Sequence, residues 1–318
     1  MKAKPALLLI LLLFFVSDSL LYAQVESKVT IVAPVGEVLY YTHQWEGERS
    51  PDGRPYVSDD LLERLKRIQV EDVWQLLHEM GYENQFEGGW KMLHIDQPMV
   101  GRALTALYMP SRPDVEERVT EEGWAAGHVG PMNSWPIDTL QLGDIYVADA
   151  YGKVEEGVLI GGNLGNSIYG RSENGVLFDG GVRDVAALRE IEGFNAVVRD
   201  WDPKYPEGMM LAGINIPVRI GQVTVLPGDV ILSKEVGTVV IPPHLVEEVV
   251  ITAEIISLRD EFVHERVRQN VYTPGQVDTR WTKEIEEDFL EWIQVDERIN
   301  RLPVPVSEMQ EFMQHRTW

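Results

Sequence analysis

The chain has 318 residues, with 28 Lys and Arg against 51 Asp and Glu, a formal net charge of −23 and no Cys. That length allows one large domain with extensions, or two small ones. The charge excludes nucleic acid and anionic membrane surfaces as partners, because both are bound through basic patches, and without Cys no disulfide or thiol chemistry contributes.

The chain begins MKAKPALLLILLLFFVSDSLLYAQ, with Lys2 and Lys4, an apolar run from Ala6 to Val16, and a small residue, Ala23. This is the pattern of a secretory signal peptide over residues 1–23. The apolar run falls short of the roughly 20 residues of a membrane span, so the mature protein is expected in the periplasm or outside the cell, free of the membrane. Removing that segment takes away two Lys and one Asp and leaves the charge near −24. A small anionic substrate would then need a local cationic site.

Residues 24–57 read as an N-terminal extension with short β-like runs, Val29 to Val32 and Val38 to Tyr41, and a Pro- and Gly-bearing segment, Glu46 to Pro55. From Ser58 to Gly81 the spacing of Leu61, Leu62, Leu65, Ile68, Val73, Leu76, Leu77 and Met80 predicts one bent helix or two short ones, capped by Ser58 or Asp59. Trp74 and His78 within it read as packing residues. Met99 to Met109 reads as a strand, followed by a loop and a Gly- and Trp-rich stretch that holds His128 and fits no single element.

Gly143 to Gly152 and Gly228 to Gly237 share one pattern: a Gly-Asp turn, a strand, and a second Gly. Each is expected to enter a β-hairpin. Between them, residues 145–200 alternate β-α-β-α-β, which predicts a wound α/β unit between β-rich flanks. Beyond Pro243 a long helix, a break at VYTPGQVD and a second amphipathic helix make a helical extension over 251–318.

The densest chemistry lies in GGNLGNSIYGRSENGVLFDGGVRD, residues 161–184. Gly161 and Gly162 follow an apolar strand and precede a helix, so the amides near Gly162, Asn163 and Leu164 point at any anion above the turn. The pattern matches neither a Walker loop nor a dinucleotide fingerprint. Arg183 and Asp184 fall at the carboxyl end of the next strand, where open α/β sheets bind ligands. Arg offers a donor fork for a carboxylate or an enolate, and Asp a hard oxygen ligand for Mg²⁺ or Mn²⁺. The same residues allow a purely structural role: Asp184 capping the helix after it, and Arg183 pairing with Asp179.

This stretch, with LLERLKRIQVEDVWQLL, MVGRALTALYMPSRPD, LGDIYVADAYG and VRIGQVTVLPGDVILSKEVGTVVIP, resembles the RraA-like family over residues 58–250. That family includes the regulator of ribonuclease activity A and class II 4-hydroxy-4-methyl-2-oxoglutarate aldolases. The resemblance implies an α/β chain with a layered β/β/α fold like phosphohistidine swivelling domains, followed by the helical C-terminal extension. It also implies assembly as a homotrimer or homohexamer. The activity it implies is a metal-dependent lyase that releases pyruvate, or a related 2-oxo acid, through an enolate. Asp184 would be the metal ligand, Arg183 would hold the pyruvyl oxygens, and Gly161, Gly162, Asn163 and Leu164 would bind the carboxylate of a small oxo-acid. The family's aldolases carry an Asp or Glu where this chain has Gly162; Glu155, Glu156, Asp149 and Asp202 are the carboxylates that could replace it. Without a replacement, the expectation shifts to oxaloacetate decarboxylation or to a non-enzymatic anion-binding scaffold. The family's methyltransferase label fits no motif here, and ribonuclease regulation does not suit an exported acidic chain.

Overall fold

A computed structural model describes residues 30–315; the expected signal peptide lies outside the described residues. The extension opens with helix α1, Val35–Tyr41. The β-like run expected over Val38 to Tyr41 is therefore helical: only Val38 is buried, so the segment presents one apolar contact rather than alternating faces. Val32 instead forms an isolated bridge to Ile214.

Two short helices follow, α2 over Asp59–Leu65 and α3 over Val70–Glu79. The Ser58 side chain accepts from the Leu61 amide and caps the first. Trp74 and His78, expected to pack inward, are instead both exposed and stack on each other along α3 at 5.3 Å.

The main sheet has nine strands. They are β1 (Phe86–Glu87), β2 (Lys91–Met92), β3 (Met99–Pro110), β4 (Asp144–Ile160), β5 (Val176–Val182), β6 (Ala196–Trp201), β7 (Met209–Ile214), β10 (Val230–Lys234) and β11 (Gly237–Ile241). Their order is β1-β11-β10-β3-β4-β5-β6-β2, with β7 paired to β3, and a separate ribbon joins β8 (Val218–Ile220) to β9 (Val223–Val225). Strands β3, β4, β5 and β6 run parallel, so their carboxyl ends share one edge. Strand β5, VLFDGGV, is buried throughout, as a parallel strand covered on both faces must be.

Side-chain alternation sets the layers. Ile145, Val147, Leu177 and Val197 face the β8–β9 ribbon, where Val218, Ile220, Val223 and Val225 meet them. Tyr146, Ala148, Phe178 and Val198 face the helices. The layered β/β/α architecture follows from this period of two.

Where a loop was expected after β3 the chain forms helix α4 (Pro113–Ala125), with Pro113 at its first turn, and a 3-10 helix (Met132–Thr139) lies in the Gly- and Trp-rich stretch that fitted no single element. In the latter, Trp135 is fully buried and stacks on His128 at 5.0 Å. The α/β unit continues with α5 (Gly162–Ser172) between β4 and β5, and α6 (Val185–Arg189) between β5 and β6.

The two Gly-Asp segments share a turn but not a hairpin. The carboxylates of Asp144 and Asp229 are buried and each accept the amide three residues back, from Gln141 at 2.8 Å and Leu226 at 2.7 Å. After Asp229 the chain does form the β10–β11 hairpin. After Asp144 it continues as one long strand whose neighbours, β3 and β5, are both parallel.

Helix α7 (Val246–Arg268) runs through residue 250 without a break. Its first half packs on α2, α3 and the hairpin; its second half meets a cluster of Phe262, Trp281, Phe289 and Trp292. The last two lie on or beside helix α8 (Lys283–Ile293). Among the described residues no helix is long and apolar enough to cross a membrane.

Candidate functional site

The parallel edge brings the two halves of the 161–184 motif together. Strand β4 ends at Ile160, and its carbonyl accepts from the Arg183 amide at 3.0 Å, tying the glycine turn to the end of β5. Helix α5 begins its ladder with the Gly165 amide on the Gly161 carbonyl at 2.9 Å. The amides of Gly162, Asn163 and Leu164 are thus left outside the ladder, as at any helix start. Gly162 donates to Asp184 Oδ2 at 3.2 Å. Asn163 and Leu164 have no such partner among the described residues, and Asn163 is exposed.

Arg183 and Asp184 stand over this turn, 39% and 50% exposed, with Nε and Oδ2 3.9 Å apart. Neither takes the structural role that the sequence left open. Asp184 precedes α6, yet its side chain makes no cap bond to that helix. Asp179 is engaged by Arg199 at 2.6 Å, not by Arg183. The Asp184 backbone sits in the left-handed region, φ 55° and ψ 39°, at a cost of about 1–2 kcal/mol for a residue with a Cβ. That conformation turns the carboxylate back across the edge to the α5 terminus, whose dipole favours an anion.

Gly161 makes this approach feasible. A Cβ there would lie 2.3 Å from Asp184 Oδ2 and 3.0 Å from Arg183 Nε. At Gly162 an added Cβ would meet only Ala187, at 3.1 Å.

The residues fit a divalent cation of the Mg²⁺ type. Asp184 is half-exposed and anchored through Oδ2, and its other oxygen has no bond among the described residues. Among the described residues no group of three or more His, Cys, Asp or Glu could hold a metal. An ion here would be held by a single carboxylate and water, a coordination that Mg²⁺ accepts. Gly161→Ala is expected to push the carboxylate aside and, if Asp184 holds the cation, to weaken Mg²⁺ binding about 10- to 100-fold. Titration calorimetry checks this, with thermal unfolding as the control for folding.

The four carboxylates that could stand in for the missing acid are sorted by the fold. Asp149 is buried and accepts the amides of Tyr151 and Arg219, at 2.9 and 3.3 Å, on the ribbon face of the sheet. Burial pushes its carboxyl up. Glu155 forms a close ion pair with Lys204, and Glu156 lies 3.6 Å from the same ammonium. Asp202 is different. Its amide donates to the Val182 carbonyl at 3.2 Å, which sets it beside Arg183, and its Oδ1 accepts the Lys204 amide at 2.9 Å. The sequence named Asp202 among four; only the β5–β6 pairing separates it from the others.

Asn133 was not singled out in the sequence. Its Nδ2 donates to the Leu159 carbonyl at 2.7 Å, two residues before Gly161, and so braces the turn from the 3-10 helix.

Solved structures share the architecture. RraAS2 of Streptomyces coelicolor, described as an unusual member of the RNase ES inhibitor RraA family, is 27% identical, with a TM-score of 0.57 over 66% of this chain and 100% of its own. An uncharacterised protein from Pseudomonas syringae pv. tomato is 18% identical, with a TM-score of 0.57 over 70% of this chain and 99% of its own, and shows the same fold. The RraA-like family model, described as Aldolase/RraA, matches residues 56–240, which include the glycine turn, the Arg-Asp pair and the whole parallel edge. The chain belongs to the RraA-like family.

Proposed function

We propose that the protein is an exported lyase of the aldolase type, dependent on Mg²⁺ or Mn²⁺, that cleaves a small 2-oxo acid through a pyruvate-like enolate. The observation that carries the reading is the convergence of Arg183, Asp184 and the unpartnered amides of Asn163 and Leu164 at one exposed edge.

Each group has a task set by its chemistry. The amides of Asn163 and Leu164, with the α5 dipole behind them, hold the substrate carboxylate. The Arg183 fork pairs with the oxygens on which charge develops, where fixed electrostatic help lowers the barrier. Asp184 would hold the cation, which when bound polarises the 2-oxo group. Asp202 takes the proton of the C4 hydroxyl. The C3–C4 bond then breaks, its electron pair passes into the enolate, and C4 leaves as a carbonyl. Return of that proton to C3 gives pyruvate.

The test supplies Mg²⁺ and a panel of 4-hydroxy-2-oxo acids and measures pyruvate through lactate dehydrogenase. Pyruvate release that falls at least about 100-fold in Asp202→Asn supports the reading; no release from any member overturns it. The bare Gly162 favours a second reading, oxaloacetate decarboxylation, which forms the same enolate without removing a hydroxyl proton. It is supported if oxaloacetate alone is turned over and Asp202→Asn leaves that rate unchanged. Tight binding of oxalate with Mg²⁺, and turnover of neither substrate class, would identify an anion-binding scaffold.

A further inference from the structure

Leu159 of β4, two residues before Gly161, lines a cavity of about 560 Å³. Tyr108 at the end of β3 and Leu159 of β4 line it on one side, and Glu116, Thr120 and Trp124 of α4 with Asn133 of the 3-10 helix on the other. Leu159 is two residues from Gly161 and is held by Asn133, so the cavity and the amide turn are built on one strand.

Its polar groups are specific. Tyr108 is 2% exposed, and its hydroxyl meets that of Tyr146, which is fully buried, at 2.6 Å. Burial raises both phenols, so both keep their protons. Two hydroxyls carry two protons, and one of them fills the bond between the rings. The other has no acceptor among the hydrogen bonds of the described residues. Tyr108 is the member that lines the cavity, so with Tyr146 donating to it, its own proton is directed at an occupant. A buried donor left unmet is costly, and the occupant that meets it carries an acceptor oxygen. Glu116, which accepts from Ser111 Oγ at 2.5 Å, and Asn133, whose Oδ1 has no partner among the described residues, are acceptor-bearing residues that line the same space. Trp124, 60% exposed, offers a ring face.

The charge of the lining narrows the occupant further. Glu116 is present, and no Lys or Arg lines the cavity. A carboxylate entering here would be desolvated beside a like charge with no cation to meet it. A tail of hydroxyl groups finds both donors and acceptors, and can lay its C–H face on Trp124.

We infer that this cavity is the distal subsite of the site at Arg183 and Asp184, and that it takes an uncharged, hydroxyl-bearing tail. The substrate is then the aldol adduct of pyruvate with a neutral hydroxyaldehyde, a 3-deoxy-2-oxo sugar acid, and not a di- or tricarboxylate. This rests on the enolate reading of the edge, and the experiment separates the two. Exchange of the pyruvate methyl protons with D₂O in the presence of Mg²⁺, followed by NMR, needs the enolate site but no tail. Cleavage is then compared for adducts of glyceraldehyde and of glyoxylate, whose tails differ in charge.

The expected result is exchange with pyruvate and a kcat/KM at least about 100-fold higher for the glyceraldehyde adduct. Trp124→Ala, at an exposed position, and Tyr108→Phe should each lower that value about 10-fold and leave pyruvate exchange unchanged. Glu116→Gln should raise cleavage of the glyoxylate adduct. Absence of exchange overturns the enolate reading, and the subsite with it. Exchange with equal kcat/KM for the two tails, or with a preference for the carboxylate tail, overturns the subsite alone. So do variants at 124 and 108 that cleave both adducts as the parent does.

Discussion

Asp184→Asn is expected to lower Mg²⁺-dependent turnover about 1,000-fold and to remove measurable Mg²⁺ binding, with global stability changed by less than about 1 kcal/mol. The backbone explains the mild effect on stability. Position 184 is left-handed, φ 55°, a conformation that Asn tolerates as well as Asp does. The Asn carbonyl can still accept from the Gly162 amide, now at 3.2 Å from Asp184 Oδ2. What is lost, on the proposed reading, is the negative charge that would hold the cation and, through it, the polarisation of the 2-oxo group. Calorimetry with Mg²⁺, pyruvate release and urea unfolding measure the three quantities separately. Retained Mg²⁺ affinity in the variant would show that the ion binds elsewhere and would remove Asp184 from the mechanism.

Arg54→Met is expected to destabilise the protein by about 3–5 kcal/mol. Arg54 is 1% exposed and carries two ion pairs, to Asp52 at 2.7 Å and to Asp144 at 2.9 Å. Asp144 is itself 2% exposed and opens β4, the strand that ends at the glycine turn. Burial already pushes its carboxyl up, and Arg54 is the main cation opposing that shift. Met fills the volume of the stem but leaves the buried Asp144 charge with Arg102, at 4.0 Å, as its remaining cation.

The deficit should depend on pH in a defined direction. With its folded-state pKa raised further, Asp144 binds a proton in the folded state more readily than in the unfolded one. The loss is then largest at neutral pH and shrinks as pH falls and the carboxyl becomes neutral. Urea unfolding at pH 7 and pH 5 tests both points. A loss below about 1 kcal/mol, or one independent of pH, would mean that the N-terminal extension is not clamped to the sheet through this pair. Adding Asp144→Asn to Arg54→Met should recover part of the loss, because the buried carboxylate at 144 then no longer needs Arg54.

The parts of this protein that were legible in the sequence are those fixed by short spacings. The succession of short apolar runs and helical segments over residues 145–200 was enough to read the wound α/β unit that β4, α5, β5, α6 and β6 form. The 3.6-residue spacing from Leu61 to Met80 placed α2 and α3, and the glycines beside Arg183 and Asp184 marked the edge. Where contacts come from distant residues the sequence was silent. Residues 38–41 favour a strand by composition, yet form a helix because only Val38 finds a buried contact. The turns at Asp144 and Asp229 are alike for three residues, and then diverge because one strand enters between parallel neighbours and the other does not.

The site divides in the same way. Arg183 and Asp184 were identifiable because they are adjacent and follow a strand, and a strand's end is a local property. That Asp184 turns back to the Gly162 amide, that Asp179 belongs to Arg199, and that Asp202 lies beside Val182 depend on pairings across 20 residues or more. So does the cavity, whose walls come from β3, β4, β7, α4 and the 3-10 helix. Sequence by itself determined which residue types stand at the edge of the parallel sheet, because alternation and turn chemistry act over a few residues. Only the tertiary structure decided which of them face one another, because the order of strands in a sheet is set by burial of the whole chain and not by any one segment of it.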